Sequence, residues 1–400
     1  MLHNEGRWLV ERIAVVGASL AGIAAARALR QQSFAGDIIA IGAERHQPYD
    51  RPPLSKAFLT GDCSAADLSL GDDEEDLGIR WRLGTPAARL DPRNRRILLR
   101  DGAEIPVDGV IVATGARARR LPHTDGLENV HTLRTLDDAI ALRADLRRAE
   151  RLVVIGAGFI GAEVASSARS LGLDVTVVEA LPTPLAGPLG AEMGAVCARL
   201  HGDHGVRLLT GTPVARLIGS GRAEAVELAD GTRLPADVVL VGIGAQPNVE
   251  WLADSGLVIS GGVVTDASCA TNLPAVVATG DCAVSFSPYA GRAVRSEHWT
   301  HAFEQPATAV ATLLGSESRT RASHPYFWSD QYGVRIQLAG HREEGDTVRV
   351  VEGDPEQRSF LAVYERDGQP VAVLGMNQPK LFTRWRRQLR APDPVATTAP

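Results

Sequence analysis

Arg12-Ile-Ala-Val-Val-Gly17-Ala-Ser19-Leu20-Ala21-Gly22 reads as an apolar strand, a glycine turn and the start of a small-residue helix. The same pattern returns as Arg151-Leu-Val-Val-Ile-Gly156-Ala-Gly158-Phe159-Ile160-Gly161. In that arrangement the backbone N–H groups of a helix N-terminus face a dinucleotide pyrophosphate. Each copy is followed by a second strand and an acid. Glu44 comes after Asp37-Ile-Ile-Ala-Ile-Gly-Ala, and Glu179 after Asp174-Val-Thr-Val-Val. A carboxylate there accepts hydrogen bonds from an adenosine ribose. One glycine loop is weak evidence, but two in matching settings predict two dinucleotides in one protein.

The repeat extends beyond the loops. Leu99-Arg-Asp101-Gly102 leads to Ala113-Thr114-Gly115, and Leu228-Ala-Asp230-Gly231 leads to Gly242-Ile243-Gly244. Each stretch predicts a hairpin turn at Asp-Gly and then an apolar strand that stops on glycine. Glycine at a strand end lets the chain pass close to a ligand.

Composition sets limits on the fold and its partners. A chain of 400 residues suits two or three domains. Its 44% hydrophobic and 22% charged content is that of a globular protein rather than a disordered one. A net charge of −6 argues against nucleic acid as a partner. Cys63, Cys197, Cys269 and Cys282 form no Cys-x-x-Cys pair, which points to a reducing, cytoplasmic setting. The apolar run Ile13 to Ala26 falls short of the roughly 20 residues that span a bilayer, so no membrane anchor is expected.

These signals predict an α/β fold with two Rossmann-like dinucleotide-binding domains on a glutathione-reductase-like plan, plus a C-terminal α+β domain. Residues 1–121 and 245–323 make the first domain, because Leu273-Pro-Ala-Val-Val-Ala-Thr279-Gly280-Asp281 is a strand without its own glycine loop and completes the first sheet. Residues 122–244 form the second domain, inserted in the first. Residues 324–400 alternate as antiparallel strands at Val334–Leu338, Thr347–Val351, Ser359–Tyr364 and Val371–Leu374. A short basic helix over Lys380–Arg390 and a disordered tail follow.

Over nearly the whole chain the residues resemble the FAD-dependent NADH:ferredoxin reductases that serve bacterial cytochrome monooxygenases and Rieske-type dioxygenases. Pro48-Tyr49-Asp50-Arg51-Pro52-Pro53-Leu54-Ser55-Lys56 carries the resemblance, with Gly156 to Glu163, Thr279-Gly280-Asp281 and Glu297-His298-Trp299-Thr300. It implies FAD on Gly17, Ser19, Leu20, Ala21, Gly22, Glu44, Arg51, Lys56, Ala113, Thr114, Gly115 and Asp281, with His298, Trp299 and Trp328 bordering the ring. NADH falls to Gly156, Gly158, Phe159, Ile160, Gly161, Glu179, Gly242 and Gly244. Ser19 departs from the usual second glycine: its Cβ crowds the pyrophosphate while its hydroxyl can donate to it.

Lys56, one of two lysines in the chain, and Glu163 are the candidate catalytic residues: Lys56 as a cation at the flavin stabilising charge gathered on reduction, and Glu163 either to meet the nicotinamide or to pair with Lys56. Glu179, with no arginine after it before Arg199, repels a 2′-phosphate and favours NADH over NADPH. The expected acceptor is a [2Fe–2S] ferredoxin; Arg384-Trp385-Arg386-Arg387-Gln-Leu-Arg390 reads either as a basic patch that steers it or as a solvated helix face. No metal site is expected, because His298, His301 and Glu304 make a thin ligand set. Monomer and homodimer both remain open. The rivals are an NADH-dependent disulfide, peroxide or oxygen reductase, which needs a redox cysteine at the flavin, a non-catalytic flavin redox sensor, and an NAD-only dehydrogenase.

Overall fold

The computed structural model describes residues 10–71, 77–316 and 324–389. Two five-stranded parallel sheets dominate it. In one, Val276–Ala278, Gly109–Val112, Arg12–Val16, Asp37–Ile41 and Ile79–Arg82 lie in that order. In the other the order is Arg207–Thr210, Asp174–Glu179, Arg151–Ile155, Val238–Val241 and Val130–His131. The central strands are buried along Ile13–Val16 and Leu152–Ile155, as parallel strands covered on both faces must be. Helices Leu20–Gln31 and Phe159–Ser170 follow the two glycine turns.

The duplication holds at the level of single hydrogen bonds. Asp108 Oδ2 accepts from the N–H groups of Glu11 and Arg12 at 3.0 and 2.9 Å, and Asp237 Oδ2 accepts from those of Glu150 and Arg151 at 3.1 and 2.9 Å. Each sheet is accompanied by a three-stranded antiparallel meander with its tight turn at Asp101-Gly102 or Asp230-Gly231. There the aspartate accepts from the N–H two residues on, at 3.0 Å to Ala103 and 2.9 Å to Thr232. Glu179 closes its strand, whereas Glu44 stands beyond its own, which ends at Ile41.

The C-terminal sheet runs Tyr326–Gln331, Val334–Gly340, Gln369–Met376, Ser359–Arg366, Thr347–Asp354. Its first strand, which carries Trp328, was not among the four strands expected: Trp328 and its neighbours Tyr326 and Phe327 give an aromatic run without clean alternation. The basic helix spans Pro379–Arg386; the expected tail lies outside the described residues. One face of the sheet, with Ile336, Phe360, Ala362, Tyr364 and Leu374, packs on Leu189, Met193, Cys197 and Leu200 of helix Ala186–Asp203. The other face packs Leu361, Val363 and Val373 on Phe382 and Leu389. Among the described residues no helix is long and apolar enough to cross a membrane.

Candidate active site

Backbone crowding explains the glycines. A Cβ on Gly17 (φ +125°) would stand 1.9 Å from the Ala113 carbonyl oxygen, and one on Gly156 (φ +100°) 2.4 Å from that of Gly242. Gly22 and Gly161 abut the carbonyls of Gly17 and Gly156 in the same way, at 1.8 and 2.1 Å. These glycines let each turn fold back on the strand ends Ala113 and Gly242. Gly158 differs, because a Cβ there would meet nothing within 4 Å. Ser19, its counterpart, accordingly fits with an extended backbone (φ −129°, ψ −161°).

Neither following helix has a side-chain cap or an acid in its first turn. The N–H groups at Leu20 and Ala21, and at Phe159 and Ile160, therefore open toward whatever lies before the helix, and the dipole favours an anion there. Helix Leu136–Leu146 shows the contrast: Thr135 and Asp138 close it with a capping box.

Around the first turn, long-range side chains converge. The Arg51 guanidinium donates to Ser19 Oγ at 3.2 Å, to the Tyr49 hydroxyl at 3.0 Å, to Glu44 Oε1 at 2.7 Å and to the Arg134 carbonyl. Tyr49 in turn donates to Glu44; burial pushes its phenol pKa up, so the hydroxyl keeps its proton. Arg134 forms an ion pair with Asp281, which sits on the turn Gly280–Cys282 just past the strand end. Thr114 and Asn248 fix the neighbouring strand end: Thr114 Oγ1 donates to the Asn248 carbonyl at 2.7 Å, and the Asn248 N–H to that of Gly115 at 2.9 Å.

The second turn is barer. Glu179 accepts from the N–H groups of Ala157 at 2.9 Å and Leu181 at 3.0 Å. Ile160, Leu181 and Ile243 stand 46%, 57% and 38% exposed around it, beside Gly242 and Gly244.

Between the two turns, Lys56 Nζ reaches Glu163 Oε2 at 2.7 Å. The carboxylate is 3% exposed and also accepts from Ser55 and from Ser329. An aromatic group closes this side: Trp299 donates to Asp50 Oδ1 at 2.7 Å and meets Trp328 edge-on at 6.2 Å. Beside them burial pushes the His298 imidazole down to about 4, so it is neutral, and its Nδ1 is buried without a partner. Arg134 and Ser329 were absent from the sequence reading, and Tyr49 and Ser55 entered it only as members of the motif Pro48–Lys56, without roles of their own. Of the two that were absent, Arg134 had a local signal, as the residue before the capping box Thr135–Asp138. Among the described residues no group of three or more His, Cys, Asp or Glu could hold a metal.

The site's residues suit a pair of dinucleotides, one of them a flavin. Two uncapped helix N-termini, an arginine pair at the first turn, a lysine between the turns and an orphaned neutral imidazole beside two tryptophans form a donor set for phosphates and a polar ring. Residues 11–306 match the family model described as pyridine nucleotide-disulphide oxidoreductase, and residues 326–399 one described as reductase C-terminal. The chain is 35% identical to the ferredoxin–NAD(+) reductase component of the p-cumate 2,3-dioxygenase system of Pseudomonas putida, over 98% of this chain and 97% of that one. It is 38% identical to rhodocoxin reductase of Rhodococcus erythropolis, over 96% and 90%.

The chain belongs to the ferredoxin reductases of this family.

The solved covalent complex of putidaredoxin reductase with putidaredoxin superposes on this ferredoxin reductase chain with a TM-score of 0.90 at 34% identity, covering 94% of this chain and 92% of that one. A NAD-dependent persulfide reductase from A. fulgidus shares the fold at 23% identity, with a TM-score of 0.86 over 94% of this chain and 76% of that one.

Proposed function

We propose that this protein passes electrons from NADH through bound FAD to a [2Fe–2S] ferredoxin that serves an oxygenase. The Lys56–Glu163 ion pair, standing between the two glycine turns, carries the reading, and the ferredoxin reductase relatives support it. FAD supplies the conversion of a two-electron hydride donor into single-electron delivery. The chain's residues bind and orient. Residues 1–121 and 245–323 hold FAD: the N–H groups of Leu20 and Ala21, with Ser19 and Arg51, face its pyrophosphate, Glu44 its ribose, and Asp281 with Arg134 its ribityl-phosphate side. Residues 122–244 hold NADH through the turn Gly156–Gly161 and Glu179. Lys56 keeps a positive charge at the ring, and Trp299, Trp328 and His298 shield it from water.

Residues 324–400 complete the ring's surroundings and face the acceptor. Phe303, 46% exposed and stacked on Trp299 at 5.3 Å, and Arg386, over the Tyr326 ring at 4.5 Å, give that side an aromatic and basic character. An acidic ferredoxin matches it. The disulfide-reductase alternative is disfavoured, because Lys56 occupies the place of a redox cysteine and the Cys63 thiol is pushed up by burial and by Asp67 rather than activated. Four free thiols fit a cytoplasmic site of action.

Purified protein should be yellow with one FAD per chain, and NADH should reduce [2Fe–2S] proteins far faster than oxygen or disulfides. Colourless protein, or turnover with disulfides alone, would sink the assignment.

A further inference from the structure

Glu163 is held by more than Lys56. On helix Phe159–Ser170, the residues Phe159, Glu163 and Ser166 recur at spacings of four and three and so share one face. The strand Tyr326–Gln331 lies along that face. The Phe159 ring meets Phe327 at 4.5 Å, Glu163 Oε1 accepts from Ser329 Oγ at 2.7 Å, and Ser166 Oγ accepts from the Tyr332 N–H at 2.7 Å. From Phe159 to Glu163 four helical residues advance about 6.0 Å, and from Phe327 to Ser329 two strand residues advance about 6.6–6.8 Å, so these two contacts keep step, while Tyr332, in the turn past the strand end, makes the third. The strand's register thus places Ser329 opposite the carboxylate.

Ser329 is fully buried and Gln331 is 2% exposed. Gln331 Nε2 donates to Ser329 Oγ at 3.0 Å. A hydroxyl has a single proton to give. With Gln331 donating to its oxygen, the Ser329 proton is directed at Glu163. The carboxylate therefore has its Oε2 held by Lys56 and Ser55, and its Oε1 held from the C-terminal sheet.

We propose that Ser329, anchored by Gln331, is a positioning residue for the Glu163–Lys56 pair, so that the C-terminal unit sets where the Lys56 ammonium stands. This rests on the reading that flavin lies against Lys56. Without the Ser329 hydroxyl, Oε1 is a buried charged acceptor lacking its donor, and the carboxylate turns to find another. The ammonium, held at 2.7 Å by that carboxylate and at 3.0 Å by the Pro52 carbonyl, shifts about the latter as its partner oxygen moves. A cation displaced from a ring that gathers negative charge on reduction stabilises that reduced form less.

The test is Ser329→Ala in the FAD-loaded full chain, read by the flavin midpoint potential, the rate of flavin reduction by NADH in single-turnover mixing, NADH affinity and thermal unfolding. The expected result is a more negative potential, a reduction rate about tenfold lower and unchanged NADH affinity. Ser329→Thr, which keeps the hydroxyl, should restore both. Gln331→Met, which removes only the anchor, should shift both in the same direction by less, and it keeps the test open if Ser329→Ala fails to accumulate. Wild-type potential and reduction rate in Ser329→Ala or, failing that variant, in Gln331→Met would overturn the proposal even if the unfolding temperature drops. Wild-type protein that purifies without flavin would overturn the reading beneath it instead.

Discussion

The two glycine turns are near copies in backbone and opposites in surroundings. Around the first, Arg51 ties Ser19 to Glu44 and to the Arg134 carbonyl, and Arg134 ties in Asp281, so segments far apart in the chain close over one place. Around the second, Glu179 is held by backbone N–H groups, and three large apolar side chains stand open to solvent. A duplicated fold has thus been given one closed and one open surround by side chains alone. A site closed by long-range ion pairs suits a ligand that stays through many turnovers. A site with an open apolar rim suits one that must leave after each.

The largest effect should come from the feature the two turns share. Gly17→Ala puts a Cβ into the Ala113 carbonyl and forces a strained φ, so denaturant unfolding should show a loss of about 3 kcal/mol or more. Gly158→Ala has free space and an ordinary φ of −72°, and should leave unfolding within about 1 kcal/mol while raising the KM for NADH. Equal destabilisation by the two would break the account of the turns.

The next effect separates the sites. Arg51→Ala removes charge-assisted bonds to Glu44 and the Arg134 carbonyl, and should weaken FAD retention about a hundredfold, measured as flavin fluorescence released on dilution. Retention at the wild-type level would mean that the first turn is not closed by this arginine.

The smallest sharpens the second site. Glu179→Ala should raise the KM for NADH about tenfold with little change in kcat, and adding Leu181→Arg should bring NADPH toward parity, since an arginine there meets the 2′-phosphate. An unchanged ratio of kcat/KM for the two nucleotides would remove Glu179 from the specificity role.

What could be read in advance was local. The strand–turn–helix units, the Asp-Gly turns and the return of Val276–Ala278 to the first sheet each follow from a few consecutive residues and their periodicity. Lys56 and Glu163 were singled out by a motif, and their contact joins positions 107 apart. Ser329 left no mark because a serine in an aromatic strand looks like any surface polar residue; its meaning comes from strand register against a helix 166 positions away. Arg134 stands before a legible capping box, but in an arginine-rich chain nothing local told of its partner Asp281, 147 positions away.

The helical segment Ala186–Asp203, broken at Gly190, belongs by chain order to the second nucleotide half, yet its Leu189, Met193, Cys197 and Leu200 are covered by residues 334–376. During synthesis that greasy set emerges well before its cover exists. The nascent chain must therefore carry a sticky surface until the last sheet leaves the ribosome, and a message truncated before that sheet should yield aggregate rather than a working two-nucleotide fragment.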